Sequence, residues 1–144
     1  MAFAWPARVY WEDTDGGGIV YYANYLRFLE RARTEWLRSL GHSQQQLLHE
    51  AGIVFTVVSL EIGYRVPARL DDELRITCEP RSDGAASLEF AQRIYRQSGG
   101  APAGGQLLTE ASVRVACVDA STLRPRRLPD FLVQALTGAG DAHG

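Results

Sequence analysis

The chain has 144 residues, 46% hydrophobic and 22% charged, which suits one soluble globular domain with a substantial core. Its net charge of -2 excludes a general basic field for nucleic acid, and no apolar run is long enough for stable membrane insertion. All 15 basic residues are Arg, so lysine Schiff-base chemistry is excluded outright.

Met1–Trp5 has neither the basic region nor the apolar run of a signal peptide. The spacing predicts a first strand over Ala7–Trp11, with Val9 and Trp11 on one face and Arg8 and Tyr10 on the other. An Asp-Gly run breaks it, and a helix is predicted from Ala23 to Leu40. Tyr25, Phe28, Leu29, Ala32, Trp36, Leu37 and Leu40 form its apolar face, Arg31 and Glu35 are spaced to pair, and Gly41 stops it. Ser43 with Gln46 reads as a capping box opening a short helix that ends before Gly52. Ile53–Tyr64 is β-branched and aromatic but long for one strand, so a bulge or bend is expected.

A loop over Pro67–Asp72 precedes an alternating strand, Glu73–Glu79, with Leu74, Ile76 and Cys78 on one face. Pro80–Ala86 is predicted as a turn. Ser87–Arg96 is a strand with Leu88, Phe90, Gln92 and Ile94 opposite Glu89, Ala91, Arg93 and Tyr95. Ser98–Gly105 reads as a mobile hairpin loop, and Leu107–Val118 as the last long strand. Arg124–Pro129 connects to a short helix over Asp130–Leu136, and Gly138–Gly144 reads as a frayed tail. A strand, a long helix and four further antiparallel strands define an α+β class. One domain over residues 1–137 and a flexible tail over 138–144 are expected. Cys78 and Cys117 read as buried thiols in a reducing compartment, the cytoplasm. No C-x-x-C pair or His/Cys cluster points to a metal.

The segment Tyr10–Arg33 carries the chemistry. Asp13 and Asp15 stand against Gly16–Gly18, just ahead of the long helix. A carboxylate can act as nucleophile or general base. Glycines admit a substrate close to the backbone, and the amides of a helix start can stabilise a carbonyl oxygen that gains charge. Asp-x-Asp-Gly is equally an ordinary turn signature, and that reading stands beside the chemical one.

Val9-Tyr10-Trp11-Glu12-Asp13-Thr14-Asp15, the Ile19-Val20-Tyr21 step and Tyr25 through Glu30-Arg31-Ala32-Arg33 resemble the hotdog-fold acyl-CoA thioesterases. The branch they resemble most is the Tol–Pal-associated (YbgC-like) group of the 4-hydroxybenzoyl-CoA thioesterase family. The resemblance continues through Pro67–Asp72, Gln92-Arg93-Ile94 and Cys117-Val118-Asp119. It implies a curved antiparallel sheet of about five strands wrapped around the long helix. It also implies a homodimer or homotetramer that joins its sheets, with acyl-CoA sites between subunits.

By that match Asp15 is the catalytic carboxylate, and the amides of Tyr21, Tyr22 and Ala23 bind the thioester carbonyl. Tyr22 stands where many close relatives carry His, so a mechanism needing His there does not operate. A thiol, with a pKa of ~8.5 for cysteine as a guide, leaves with little protonation, which makes the loss tolerable. The expected reaction is hydrolysis of acyl-CoA to a carboxylic acid and coenzyme A, without cofactor or metal. Asp13 is expected to support the turn, Glu30 to pair with Arg33 or Arg27, and Tyr25 to lie in the core. His42, His49 and His143 are assigned surface or capping roles. Rival readings are a hotdog dehydratase or hydratase, a non-catalytic acyl-CoA binder or scaffold of the Tol–Pal system, and a thioesterase acting on acyl carrier protein. The first of these lacks its His.

Overall fold

The structure, a computed structural model, describes residues 3–97 and 105–141. Five strands, β1 (Phe3–Arg8), β2 (Ile53–Tyr64), β3 (Glu73–Ser82), β4 (Ser87–Gln97) and β5 (Gln106–Asp119), form one curved antiparallel sheet in the order β1-β3-β4-β5-β2. Three helices accompany it: α1 (Tyr25–Ser39), α2 (Gln44–Ala51) and α3 (Asp130–Asp141).

The alternation read from sequence decides which sheet face is buried. Leu74, Ile76 and Cys78 of β3, Leu88, Phe90, Gln92 and Ile94 of β4, and Val113, Val115 and Cys117 of β5 are all buried. Against them lies the apolar face of α1: Phe28, Leu29, Ala32, Trp36 and Leu37. Burying Phe28 and Leu29 contributes roughly 1.5–3 kcal/mol each. Trp36 and Phe90 meet edge to face across this interface, ring centroids 5.4 Å apart. The Ser43 capping box forms as expected: Ser43 Oγ accepts from Gln46 N–H (3.1 Å), and Gly52 closes α2 with φ of 65°. The bulge expected in β2 falls at Val58, which the pairing with β5 skips between Val57 and Ser59.

Several expectations are corrected. The first strand runs over Phe3–Arg8, not Ala7–Trp11; Pro6 lies inside it because β1 is an edge strand, where a missing N–H is tolerated. Val9 is buried, but Trp11 turns out to solvent at 78% exposure in a 3-10 turn over Trp11–Asp13. Strand β3 continues through Pro80 to Ser82, since its pairing with β1 ends at Cys78 and leaves the later residues on an open side. Glu35 pairs with Arg38 (2.5 Å), not with Arg31. Helix α3 runs to Asp141, past the expected end at Leu136. The hairpin loop expected over 98–105 lies outside the described residues except for Gly105, as do the last three residues of the expected tail.

Candidate active site

Between β1 and α1 the chain makes a small hairpin held by its own backbone. Thr14 and Val20 form a bridge, Asp15 N–H donates to Ile19 O (2.9 Å), and Gly18 N–H donates to Asp15 O (3.3 Å). Gly18 has φ of 79°, a conformation that glycine adopts without strain. The hairpin docks on the 68–70 segment: Val20 N–H donates to Ala68 O (2.8 Å) and Leu70 N–H to Gly18 O (3.1 Å). Asp15 sits at the turn of this hairpin. Its carboxylate is exposed, and Oδ1 accepts the Gly17 N–H at 2.7 Å. A Cβ on Gly17 would stand 3.3 Å from that oxygen, so the glycine keeps the carboxylate's surroundings open.

Asp13 has the opposite environment. It is buried, and its Oδ2 accepts the Tyr10 N–H (2.8 Å). Its carbonyl accepts both the Tyr21 N–H (3.1 Å) and the Asn24 side-chain amide (2.9 Å). Asp13 therefore ties the loop's entry to the start of the helical run, which is the supporting role read from sequence. Two carboxylates two residues apart are divided into a buried brace and an exposed group.

The helical run opens as a 3-10 turn over Tyr22–Asn24 that passes directly into α1. Of the three backbone amides singled out by sequence, that of Tyr21 is taken by Asp13 O, while those of Tyr22 and Ala23 are the first two of the run, where intrahelical partners do not exist. The same turn gathers tyrosines. Tyr21 and Tyr22 are exposed and their rings are 4.9 Å apart; Tyr64 stands edge-on to Tyr22 and its hydroxyl donates to Tyr22 O (3.2 Å). The Tyr21 phenol is pushed above its ordinary pKa by hydrogen bonding to Tyr22. Burial raises that of Tyr25, whose hydroxyl accepts the Ala68 N–H at 3.0 Å inside the core, as expected of a core residue.

Asn24 and Tyr64 were not picked out from sequence. Asn24 carried a signal, since Asn before a helical pattern is a capping type, though here its side chain reaches back to Asp13. Tyr64 reaches Tyr22 across 42 positions, a contact that no local pattern encodes.

The remaining polar candidates have other partners. Glu30 accepts from Thr34 Oγ1 (2.6 Å) and forms no ion pair with Arg27 or Arg33 among the described residues. The reason is local: Thr34 is one turn away, while Arg33 turns inward to Gln92 Oε1 (3.0 Å). His42 is half-buried, its ring stacked on Phe131 with centroids 3.6 Å apart. His143 lies outside the described residues. Arg65 and Arg93 share Glu110, Arg96 holds Asp72 (2.8 Å), and Arg126 holds Asp119 (2.9 Å). Burial pushes the Cys78 thiol up to about 12 and raises that of Cys117, so neither is a nucleophile at neutral pH. No metal-binding cluster occurs among the described residues, and no helix there is long and apolar enough to cross a membrane.

A cavity of about 320 Å³ lies between α1 and the sheet, lined by Glu30, Arg33, Trp36, Leu37, Gln44, Phe55, Val57, Leu88, Phe90, Val115 and Leu132. It includes neither Asp15 nor residues 21–23 of the same copy.

The family model described as "Thioesterase superfamily" matches residues 17–103, more than half of the chain. This chain belongs to the thioesterase superfamily. Among its relatives, the acyl-CoA thioester hydrolase YbgC of Escherichia coli O6:H1 is 49% identical over 131 residues, 91% of this chain and 92% of its own. The acyl-CoA thioesterase YbgC of Haemophilus influenzae is 46% identical over 127 residues, 88% of each chain. The crystal structure of a 1,4-dihydroxy-2-naphthoyl-CoA thioesterase from Synechocystis superposes with a TM-score of 0.85 at 24% identity, covering 95% of this chain and 96% of its own. The superfamily's hotdog fold is thus the fold of this chain.

Proposed function

We propose that this thioesterase hydrolyses acyl-CoA, with Asp15 as the reacting carboxylate and the Tyr22 and Ala23 amides as the carbonyl-binding donors. The observation that carries this reading is that an exposed carboxylate stands on a braced hairpin leading straight into a helix start whose first amides have no intrahelical partner, in a chain 46–49% identical to proteins named acyl-CoA thioesterases or thioester hydrolases. Asp15 either attacks the thioester carbonyl, giving a mixed anhydride that water then opens, or takes a proton from the water that attacks. Coenzyme A leaves as the thiolate in either route. The Tyr22 and Ala23 amides meet the oxygen as it gains charge, and losing one such donor typically costs ~3 kcal/mol of activation energy. Tyr21 and Tyr22 line the approach with their rings.

The working unit is at least two copies of the chain. Strand β2 is a sheet edge, and Val57, Val58 and Leu60 on it are exposed. An unpaired edge carrying apolar side chains suits pairing with β2 of a second copy. Buried free thiols suit a reducing compartment, for which we propose the cytoplasm.

The deciding experiment follows thiol release from short, long and aromatic acyl-CoAs, with acyl carrier protein thioesters as a separate arm, by wild type and Asp15→Asn. Asn keeps the acceptor for Gly17, so the turn survives while kcat falls about 10²-fold or more. Full activity in the variant would remove Asp15 from the chemistry. Faster turnover of carrier-protein thioesters than of any acyl-CoA would change the substrate.

A further inference from the structure

The cavity beneath α1 has a polar arrangement that a plain hydrocarbon pocket lacks. Trp36, Phe55 and Phe90 supply aromatic wall, but Arg33 and Glu30 line it too. Glu30 is exposed at the rim, fixed by Thr34, whose hydroxyl in turn accepts from Gln44 Nε2 (3.1 Å). Arg33 is half-buried. Its Nη1 donates to Gln92 Oε1 (3.0 Å), and Gln92, 1% exposed, is itself anchored on Leu29 O (3.1 Å). Among the described residues Arg33 forms no ion pair. Burial lowers its pKa against the opposing pull of Cys78 and Glu30. A guanidinium has five N–H donors, and a neutral amide occupies one.

The cavity reaches the open sheet edge through Phe55 and Val57. Two-fold antiparallel pairing of two β2 strands that keeps their inward residues on one face sets Val57 against Leu60, and Tyr64 of the second copy against Ile53, two residues from Phe55. Tyr64 is the residue that holds the Tyr22 carbonyl at the helix start. Paired in this way, the thioester loop of one copy would face the cavity of the other.

We propose that the cavity receives the acyl group of a thioester bound at the second copy's Asp15 loop, and that Arg33 with Glu30 selects a neutral, hydroxylated acyl chain. The proposal rests on the thioesterase reading and on pairing through β2. A hydroxyl accepts from Arg33 and donates to Glu30. A hydrocarbon leaves the remaining Arg33 donors without an oxygen in an apolar wall, and a carboxylate meets Glu30 at the rim.

The test compares kcat/KM for hexanoyl-CoA, 6-hydroxyhexanoyl-CoA and adipoyl-CoA in wild type and Arg33→Met. Wild type should favour the hydroxylated chain over both others by about tenfold, and Arg33→Met should erase that preference. Each ratio is taken within one protein sample, so partial loss of folded variant cancels. Titration calorimetry with the corresponding free acids, in wild type and in the conservative Arg33→Lys, reads the pocket without catalysis. Selective binding of 6-hydroxyhexanoate in a protein that releases no thiol would keep the pocket and remove the hydrolase reading. A preference for hexanoyl or adipoyl chains, or one indifferent to Arg33 in both assays, would overturn the proposal.

Discussion

Asp13 and Asp15 show how far residue type underdetermines role. Both are Asp in a turn-forming run, yet the carboxylate of one is buried and accepts the Tyr10 N–H, while that of the other is in the open and accepts the Gly17 N–H. Their variants should separate accordingly. Asp13→Ala removes a part-buried hydrogen bond from the Tyr10 N–H to a charged acceptor, and should cost about 1.5–3 kcal/mol of stability in a denaturant titration. Asp15→Asn should leave the same titration curve nearly unmoved while lowering kcat. Equal destabilisation by both would mean that Asp15 is part of the brace as well. The division was partly legible: the sequence marks the turn and its two carboxylates, but burial and the contacts from Tyr10, Tyr21 and Asn24 to Asp13 are what distinguish them. Those contacts depend on how the hairpin folds back on the helix start, not on the identity of either acid.

At the scale of elements, helix α1 was readable because its apolar residues recur at helical spacing over four turns, and the same residues are the buried ones. Strand β4 was readable for the same reason at period two, and even Gln92 was placed on its inward face. What failed were the pairings that span elements or depend on an edge. Gln92 meets Arg33 across 59 positions, Glu35 chooses Arg38 over Arg31, and Pro6 hid a strand that an edge position permits. Strand β5 carries a pH-dependent tie of this kind. Arg65 and Arg93 hold the Glu110 carboxyl below its ordinary range. A lowered folded pKa contributes stability above the unfolded pKa and loses it as pH falls through the folded value. Glu110→Gln should therefore lower stability at pH 7, by a difference that vanishes as pH falls below about 4.3 and so flattens the acid side of the curve, measured by thermal melts across pH.

For the whole molecule, the pattern of β2 makes sense only with something beside it. Its residues alternate as strand residues should, yet those from Thr56 to Glu61 are all exposed in the single chain. Sequence periodicity identifies the strand and says nothing of which neighbour covers it. If the neighbour is a second β2, a charge at its centre should prevent the pairing. Val58→Asp places two like-charged side chains together, and should shift sedimentation from dimer to monomer with loss of thioesterase activity in proportion. A monomeric variant with full kcat would show that one copy holds a complete site.

The two borders of the sheet are unlike, and this has a consequence for how large an assembly can grow. One border, β2, is long and receptive; the other, β1, is six residues and carries Pro6, which has no N–H to offer an incoming strand. Self-pairing through β2 uses the receptive border of both copies at once. Every border left over would then be of the β1 kind, so strand addition would end after a single step, and the guard against fibre growth would be a residue with no part in the proposed chemistry.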